Sequence, residues 1–96
     1  MNQMTDIEPM AIASKAAEAA RMLRSLANQH RLLILCILAN GELPGGALQA
    51  QVELSQSALS QHLARLREEG LVATRREGTS IVYRIADPAV LQIMMT

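Results

Sequence analysis

The chain has 96 residues, with nine basic and nine acidic side chains and a formal net charge of zero. This length fits one domain with a single core. The neutral balance argues against a protein that coats nucleic acid or membranes by bulk electrostatic attraction. Half the residues are apolar, but Tyr83 is the one aromatic residue. The core is therefore expected to be aliphatic and mainly helical.

The cysteine content and the hydropathy pattern predict where the protein works. Cys36 is the single cysteine, which excludes a disulfide framework within the chain and fits a reducing compartment. No stretch approaches the roughly 18 continuous apolar residues of a membrane span. The N-terminus also lacks a basic segment that leads into an apolar one. We expect a cytoplasmic protein with no membrane partner.

The first half of the chain predicts an N-terminal arm and two helices. Residues 1–9 are polar and end on a proline, so we expect a flexible arm followed by one domain over residues 10–96. Residues 10–26 carry apolar side chains at helical spacing, which predicts an amphipathic first helix. Asn28 is placed to cap the second helix. Residues 32–39 are apolar all round, which predicts a helix buried on every side as the centre of the core.

Two shorter helical segments follow. Asn40 and Gly41 are expected to end the second helix, and a third, short helix is predicted over residues 45–52. Ser55 is the expected N-cap of a fourth helix that ends at Gly70. A short helix, a tight turn and a longer helix together form a helix-turn-helix.

Beyond residue 70 the apolar period changes from helical to alternating, which predicts two strands of a β-hairpin. Glu77 and Gly78 supply its turn. Asp87 and Pro88 then start a last helix, with Asp87 as its cap and Pro88 in its first position. The strand-like residues are Val72, Thr74, Ile81, Tyr83 and Ile85. The predicted order is α-α-α-α-β-β-α, mainly helical with one hairpin.

The fourth predicted helix has an outward face of unusual chemistry. Leu59, Leu63 and Leu66 lie on one side by the 3.6-residue period and would be buried. The opposite side presents small hydroxyl and amide groups in place of the Lys and Glu pairs of an ordinary solvated face. Acidic residues come only near its end, at Glu68 and Glu69. The outward residues are Ser57, Ser60, Gln61, Ala64, Arg65 and Glu68.

Such a face suits a helix that enters the major groove of DNA, because Gln pairs with adenine edges and Arg with guanine or phosphate. The positive charge is concentrated here: five arginines against three glutamates between residues 55 and 84 leave +2. A basic hairpin after a helix-turn-helix would form a wing, in which Arg75 and Arg76 contact the DNA backbone or minor groove. The predicted recognition-helix contacts are Gln56, Ser57, Ser60, Gln61, His62 and Arg65.

Alternatives to DNA binding remain at this point. The fourth helix could be a polar surface helix of no special purpose, and the chain could be a dimerisation or adaptor module that never touches DNA. His62 lies at the edge of the leucine stripe, so a hydrogen-bonded structural role competes with a phosphate contact. Binding to RNA or single strands is disfavoured, because it usually needs stacking aromatic residues.

Two stretches resemble a known family. LSQSALSQHLARLREEGLVATRREGTSIVYRI, residues 54–85, resembles the helix-turn-helix and wing of the ArsR/SmtB family of bacterial winged-helix repressors. LANQHRLLILCIL, residues 26–38, resembles the helix before it, and the likeness runs from about residue 16 to 93. It implies a homodimer, joined through the first and last helices, that binds an inverted-repeat operator in double-stranded DNA.

Members of this family often sense metals, but the ligand positions differ here. The Cys-x-Cys signature at the third helix is absent, since GELPGGAL carries no thiol. A second family signature, Asp-x-His, keeps Asp87 but has Ala89 in place of the histidine. His30 and Cys36 are six residues apart and do not share a helix face. We expect no metal site and no cofactor, and a metal-responsive repressor is the disfavoured alternative.

Cys36 in LLILCIL resembles the thiol- and sulfide-responsive branch of the family, the BigR, SqrR, YgaV and HlyU-like proteins. In that branch the cysteine works with a second one near the end of the last helix, which is missing up to Thr96. Either the second thiol lies beyond that point, or one thiol suffices, or Cys36 only packs in the core. The resemblance implies release from DNA when reactive sulfur species or an oxidant modifies Cys36. An enzyme is not expected, because no nucleophile, base and orienting acid can be placed together.

Overall fold

A computed structural model describes residues 8–94, which form five helices and three strands. The helices are α1 (Pro9–Leu26), α2 (Gln29–Ala39), α3 (Gly45–Gln51), α4 (Gln56–Glu68) and α5 (Pro88–Met94). The strands are β1 (Leu43–Pro44), β2 (Val72–Glu77) and β3 (Ser80–Ile85). The predicted winged helix-turn-helix order is confirmed, with the short strand β1 added.

Helix α1 begins at Pro9, one residue before the first predicted helical position. Pro9 occupies the first turn of α1, where its preset φ suits the helix and its missing N–H has no partner to lose. Glu8 stands at the N-cap without a side-chain capping bond. The rest of the predicted arm, residues 1–7, lies outside the described residues.

Helix α2 is the centre of the core, as predicted, but it is not buried on every side. Ile34, Leu35 and Leu38 are buried and pack where α2 meets α1, α4, α5 and β3. Leu33 is 45% exposed, and Cys36 is exposed as well. An apolar pattern all round a helix shows that each face avoids water, but it does not show that one chain covers them all.

The helix-turn-helix follows the predicted capping residues. The Ser55 hydroxyl accepts a hydrogen bond from the Ala58 backbone N–H at 3.1 Å and so begins α4. In the turn before it, the Gln49 side-chain amide donates to the Leu54 carbonyl. After α4, Gly70 takes a φ of +75°, which a side chain would strain. The Gln49 bond ties α3 to the turn, and the Ser55 bond fixes the first turn of α4.

The wing is a three-stranded antiparallel sheet in the order β1-β3-β2. Glu77 pairs with Ser80, so the turn consists of Gly78 and Thr79, one residue later than predicted. Gly78 has a φ of +63°, which a tight turn of this kind requires. Strand β1 was not predicted, because two residues that include a proline carry no alternating pattern.

The outer helices leave apolar side chains uncovered. On α1, Met10 and Ile12 are exposed and Leu23 is 62% exposed; on α5, Leu91 and Ile93 are exposed. The buried apolar core contains no residue of α1. No helix within residues 8–94 has the length and apolarity that a membrane crossing needs.

The start of α5 confirms one smaller prediction, and its end packs against the core. Asp87 caps the helix as predicted, because its carboxylate accepts a hydrogen bond from the Ala89 N–H at 2.9 Å. Met22 of α1 and Met94 of α5 are partly buried against the core. Residues 95 and 96 lie outside the described residues.

Asn28 offers a test of what begins α2. Its side-chain oxygen accepts hydrogen bonds from the His30 and Arg31 backbone N–H groups, at 3.0 and 3.1 Å. We expect Asn28→Ala to lower the free energy of unfolding by about 1 kcal/mol, measured by urea denaturation at fixed protein concentration. Asn28→Asp keeps a capping oxygen and should retain most of the stability. Equal losses in both variants would contradict the capping role.

Candidate nucleic-acid interface

The outward face of α4 is laid out as the sequence predicts. Leu59, Leu63 and Leu66 are buried against the core, which turns the opposite side of the helix to solvent. The first turn of α4 contains no acidic residue, and the helix reaches its first one only at Glu68. Five of the predicted contacts are exposed on α4: Gln56, Ser57, Ser60, Gln61 and Arg65. Gln56 and Ser60 are turned toward the wing.

A cleft of about 540 Å³ separates this helix from the wing. Gln56 and Ser60 of α4 line one wall, while Ser80 and Tyr83 line the other. Gly46 is part of its lining, and a Cβ there would meet nothing within 4 Å. Because Gln56 and Ser60 belong to α4 and Ser80 and Tyr83 to β3, the cleft is lined by polar groups from two separate elements. Sequence reasoning missed Ser80 and Tyr83 because only the folded sheet brings them opposite α4.

Two of the three wing arginines, Arg75 and Arg76, differ in their surroundings. Arg75 pairs with the carboxylates of Glu42 and Glu77. Its hydrogen bonds to these two groups raise the pKa of Arg75 above its usual value, and the same contact lowers the pKa of Glu42. Arg76 is exposed and makes no ion pair with any residue from 8 to 94. Glu42 is 33 residues from Arg75, so no local spacing in the sequence could have revealed their contact.

His62 faces the start of α2 and not the exposed row of α4. Its Nδ1 lies 3.5 Å from an Nη of Arg31, and its ring centre lies 5.6 Å from that of His30. Burial lowers the pKa of His62, and the charges of Arg31 and His30 lower it further. This geometry favours the hydrogen-bonded structural role that the sequence left open; contact of His62 with DNA stays a prediction.

Arg65 belongs to a chain of polar contacts that reaches α1. Its Nε lies 3.0 Å from one carboxylate oxygen of Glu69, and the other oxygen accepts a hydrogen bond from the Ser25 hydroxyl at 2.5 Å. Burial alone would raise the pKa of Glu69, but the bonds from Ser25 and Arg65 outweigh it and lower the pKa. The spacing of Arg65 and Glu69 is readable from the sequence as an i,i+4 pair. The contact with Ser25, 44 residues away, is not.

Cys36 lies at the surface, in contact with the last helix. Its Sγ is 3.6 Å from the Sδ of Met94, so the thiol sits where α2 meets α5. It also lines an open groove of about 630 Å³ together with His30, Leu33 and Val52. The exposure of the thiol disfavours the interpretation of Cys36 as core packing. A reagent in solution can reach this sulfur in the single chain.

The structure shows how the family's metal-ligand positions are used in this chain. Asp87 uses a carboxylate oxygen to cap α5. In the part of the chain that the structure describes, no group of three or more His, Cys, Asp or Glu side chains converges as a metal site requires.

Comparison with known proteins decides the family. Residues 28–74 match the family described as "Bacterial regulatory protein, arsR family". The transcriptional activator HlyU of Vibrio cholerae is 49% identical over 75 residues, which cover 78% of this chain and 69% of HlyU. The chain belongs to the ArsR family. The resemblance read from residues 54–85 is thereby confirmed.

Further relatives agree in sequence and in structure. The biofilm growth-associated repressor of Agrobacterium fabrum is 46% identical over 80% of this chain and 66% of its own length. Reduced HlyU from Vibrio cholerae superposes with a TM-score of 0.83 at 44% identity, covering 88% of both chains. A domain from Mycobacterium bovis is described as a homodimeric winged helix-turn-helix DNA-binding domain. It superposes with a TM-score of 0.82 at 35% identity, covering 92% of this chain and 82% of that domain.

These findings place the chain among transcriptional regulators and not among enzymes. The ArsR match spans α2 to the first residues of β2, and so contains the whole helix-turn-helix. Cys36 and the predicted contacts on α4 lie inside the matched residues, whereas Arg75 and Arg76 follow directly after them. The ArsR assignment therefore rests on the same segment that carries the candidate interface.

The lowered pKa of His62 has a measurable consequence for stability. Because the folded chain binds this proton less readily than the unfolded chain, stability present above the usual histidine pKa of about 6.5 is lost as the pH falls toward the folded value. We expect His62→Gln to show a shallower loss of unfolding free energy between about pH 7.5 and 5.5 than the unmodified protein. Urea denaturation at several pH values measures this loss. His30→Gln removes one of the charges that lower the pKa of His62, so it should reduce the loss less than His62→Gln does. Equal slopes in the His62 variant and the unmodified protein would contradict the assignment.

Proposed function

We propose that this ArsR-family protein is a homodimeric repressor that binds an inverted-repeat operator in double-stranded DNA, and that chemical modification of Cys36 releases it. The observation that carries the proposal is the outward face of α4, which exposes amide and hydroxyl groups and no acid in its first turns. That face lies beside a wing on which Arg76 has no ion pair among the described residues.

The side chains on α4 have separate roles in this proposal. Gln61 and Gln56 are suited to adenine edges, since an amide both donates and accepts in one plane. Arg65 is suited to a guanine edge or a phosphate. Ser57 and Ser60 donate to bases or to the backbone. The free N–H groups at the start of α4 favour a nearby phosphate.

The cleft between α4 and the wing is suited to one strand of the DNA backbone. Its walls carry the Ser60, Ser80 and Tyr83 hydroxyls, which can donate to phosphate oxygens. Arg76 adds a positive charge on the wing. Arg75 contributes less, because Glu42 and Glu77 already balance its charge. We therefore assign the wing contact mainly to Arg76, with Arg75 as support for the wing itself.

Dimerisation is supported by the surfaces that one chain leaves uncovered. The exposed apolar residues of α1 and α5 occupy the two helices that the family resemblance assigns to the interface. The similar Mycobacterium bovis domain is described as homodimeric. A two-fold dimer would place its two copies of α4 in successive major grooves, about 34 Å apart. Bound across a promoter in the cytoplasm, such a dimer would block access to the DNA.

Release through Cys36 is supported by its exposure and its place between α2 and α5. The Cys36 thiolate would attack one sulfur of a polysulfide. A new S–S bond then forms at Cys36 while the polysulfide S–S bond breaks, and the shorter sulfide anion leaves with the electron pair. The added sulfur would displace Met94 and with it α5, one of the two proposed dimer helices. A change in dimer geometry would then separate the two recognition helices from their grooves.

Two substitutions separate base reading from backbone attraction. We expect Gln61→Ala to reduce discrimination between operator and random DNA while the salt dependence stays the same, because it removes a base contact and no charge. Arg76→Ala should weaken binding to all sequences and reduce the salt slope by about one unit or less. Fluorescence anisotropy with DNA from upstream of the protein's own gene measures both.

Arg75→Ala is the matched control for the wing, since it removes the same charge from the adjacent residue. It should change the salt slope less than Arg76→Ala does. Loss of affinity for operator and random DNA in equal proportion in Gln61→Ala would contradict its role in base reading. If no duplex binds with a salt-dependent affinity, the chain is a dimerisation module and the proposed function is wrong.

The release step has its own test. We expect reduced protein to bind operator DNA tightly and polysulfide-treated protein to bind it at least about tenfold more weakly, which corresponds to about 1.4 kcal/mol. Cys36→Ser should bind as the reduced protein does and ignore the treatment. Binding that does not respond to polysulfide would leave the DNA-binding function in place and exclude Cys36 as the sensor in this chain.

A further inference from the structure

Glu69 connects two elements that are far apart in the sequence. One of its carboxylate oxygens accepts from Ser25 of α1, and the other lies 3.0 Å from the Nε of Arg65 on α4. Ser25 is fully buried and is the buried polar residue of the described core. Glu69 itself is largely buried, with a side-chain exposure of 17% against 54% for Arg65. The carboxylate therefore has a fixed anchor inside the protein and an exposed arginine outside it.

The position of Glu69 is not explained by helix stability. It is the C-cap residue of α4, where the negative end of the helix dipole disfavours a carboxylate. The adjacent Glu68 is exposed and makes no ion pair within residues 8–94. Of these two neighbouring glutamates, only Glu69 is turned inward and held by a buried hydroxyl.

We propose that Glu69 is a positioning residue, anchored by Ser25, that holds the guanidinium of Arg65 in the orientation that reads the operator. The inference rests on the proposed function. Glu69 occupies the Nε side of the guanidinium and leaves the two Nη groups to donate to a base or a phosphate. A long arginine side chain that is already ordered loses less conformational entropy when it binds.

The anchor also connects base reading to the proposed dimer contact. Ser25 lies two residues after Leu23, whose side chain is exposed on α1. A shift of α1 relative to α4 would move the Ser25 hydroxyl and release one oxygen of Glu69. Arg65 would then lose its fixed orientation. Dimer geometry would in this way influence which sequences the same arginine prefers.

The test compares Glu69→Gln with Glu68→Gln, which removes the same charge from the next residue. The probes are duplex DNA from upstream of the protein's own gene and a scrambled duplex of the same length. Both variants should change the affinity for the scrambled duplex alike, because each removes one negative charge. Only Glu69→Gln should lower the ratio of operator to scrambled affinity, by at least about fivefold, the lower end of what one arginine–base pair contributes.

A double-mutant comparison separates positioning from folding. In an Arg65→Ala background, Glu69→Gln should lower the ratio no further than Glu68→Gln does. Ser25→Ala, with Arg65 intact, should lower the ratio in the same direction as Glu69→Gln. Circular dichroism and urea denaturation check that each variant is folded, and the Ser25 variant replaces Glu69→Gln if that protein does not fold.

Three results would overturn the inference while the proposed function stands. They are equal ratios in the Glu68 and Glu69 variants, an effect of Glu69→Gln that persists without Arg65, and an Arg65→Ala variant that discriminates normally. If the unmodified protein does not distinguish the operator from the scrambled duplex, the proposed function and this inference both fail.

Discussion

The burial of one leucine stripe determines how the rest of the molecule is used. Leu59, Leu63 and Leu66 join the core beside Leu35 of α2, and together they remove a large apolar area from water. Because that side of α4 is buried in the core, the amide and hydroxyl groups on the other side face solvent. The polar surface of α4 is therefore a consequence of packing, and its chemistry is free to serve recognition.

Acidic residues around α4 form ion pairs with some of the neighbouring arginines and leave others unpaired. Glu42 and Glu77 balance Arg75, whereas Arg76 and Arg84, the other two arginines of the wing, make no ion pair in the described chain. Glu69 holds Arg65 from the side that faces the protein. Carboxylates close to a DNA-binding surface would ordinarily repel phosphate. Here each of the three is bound to an arginine, and they select which arginines stay available and in what orientation.

The apolar surfaces that remain exposed fall on α1, on α5 and on one side of α2. Exposed leucines in contiguous patches are typical of interaction surfaces. Cys36 lies between two of these surfaces, in contact with Met94 of α5. A reactive group at that junction can alter how α5 packs without entering the DNA surface. The site that is modified, Cys36, and the site that binds DNA, α4, would then be separate and connected through the helices of the dimer.

The sequence alone determined the helices, the hairpin and the outward face of α4, because these depend on local periodicity and on capping residues such as Asn28 and Ser55. The tertiary structure alone decided what depends on distant pairs: β1 beside β3, Glu42 on Arg75, and Ser25 on Glu69. It also corrected the burial of α2. Periodicity reports which residues avoid water along one helix, but a contact between residues more than 30 positions apart exists only once the chain has folded.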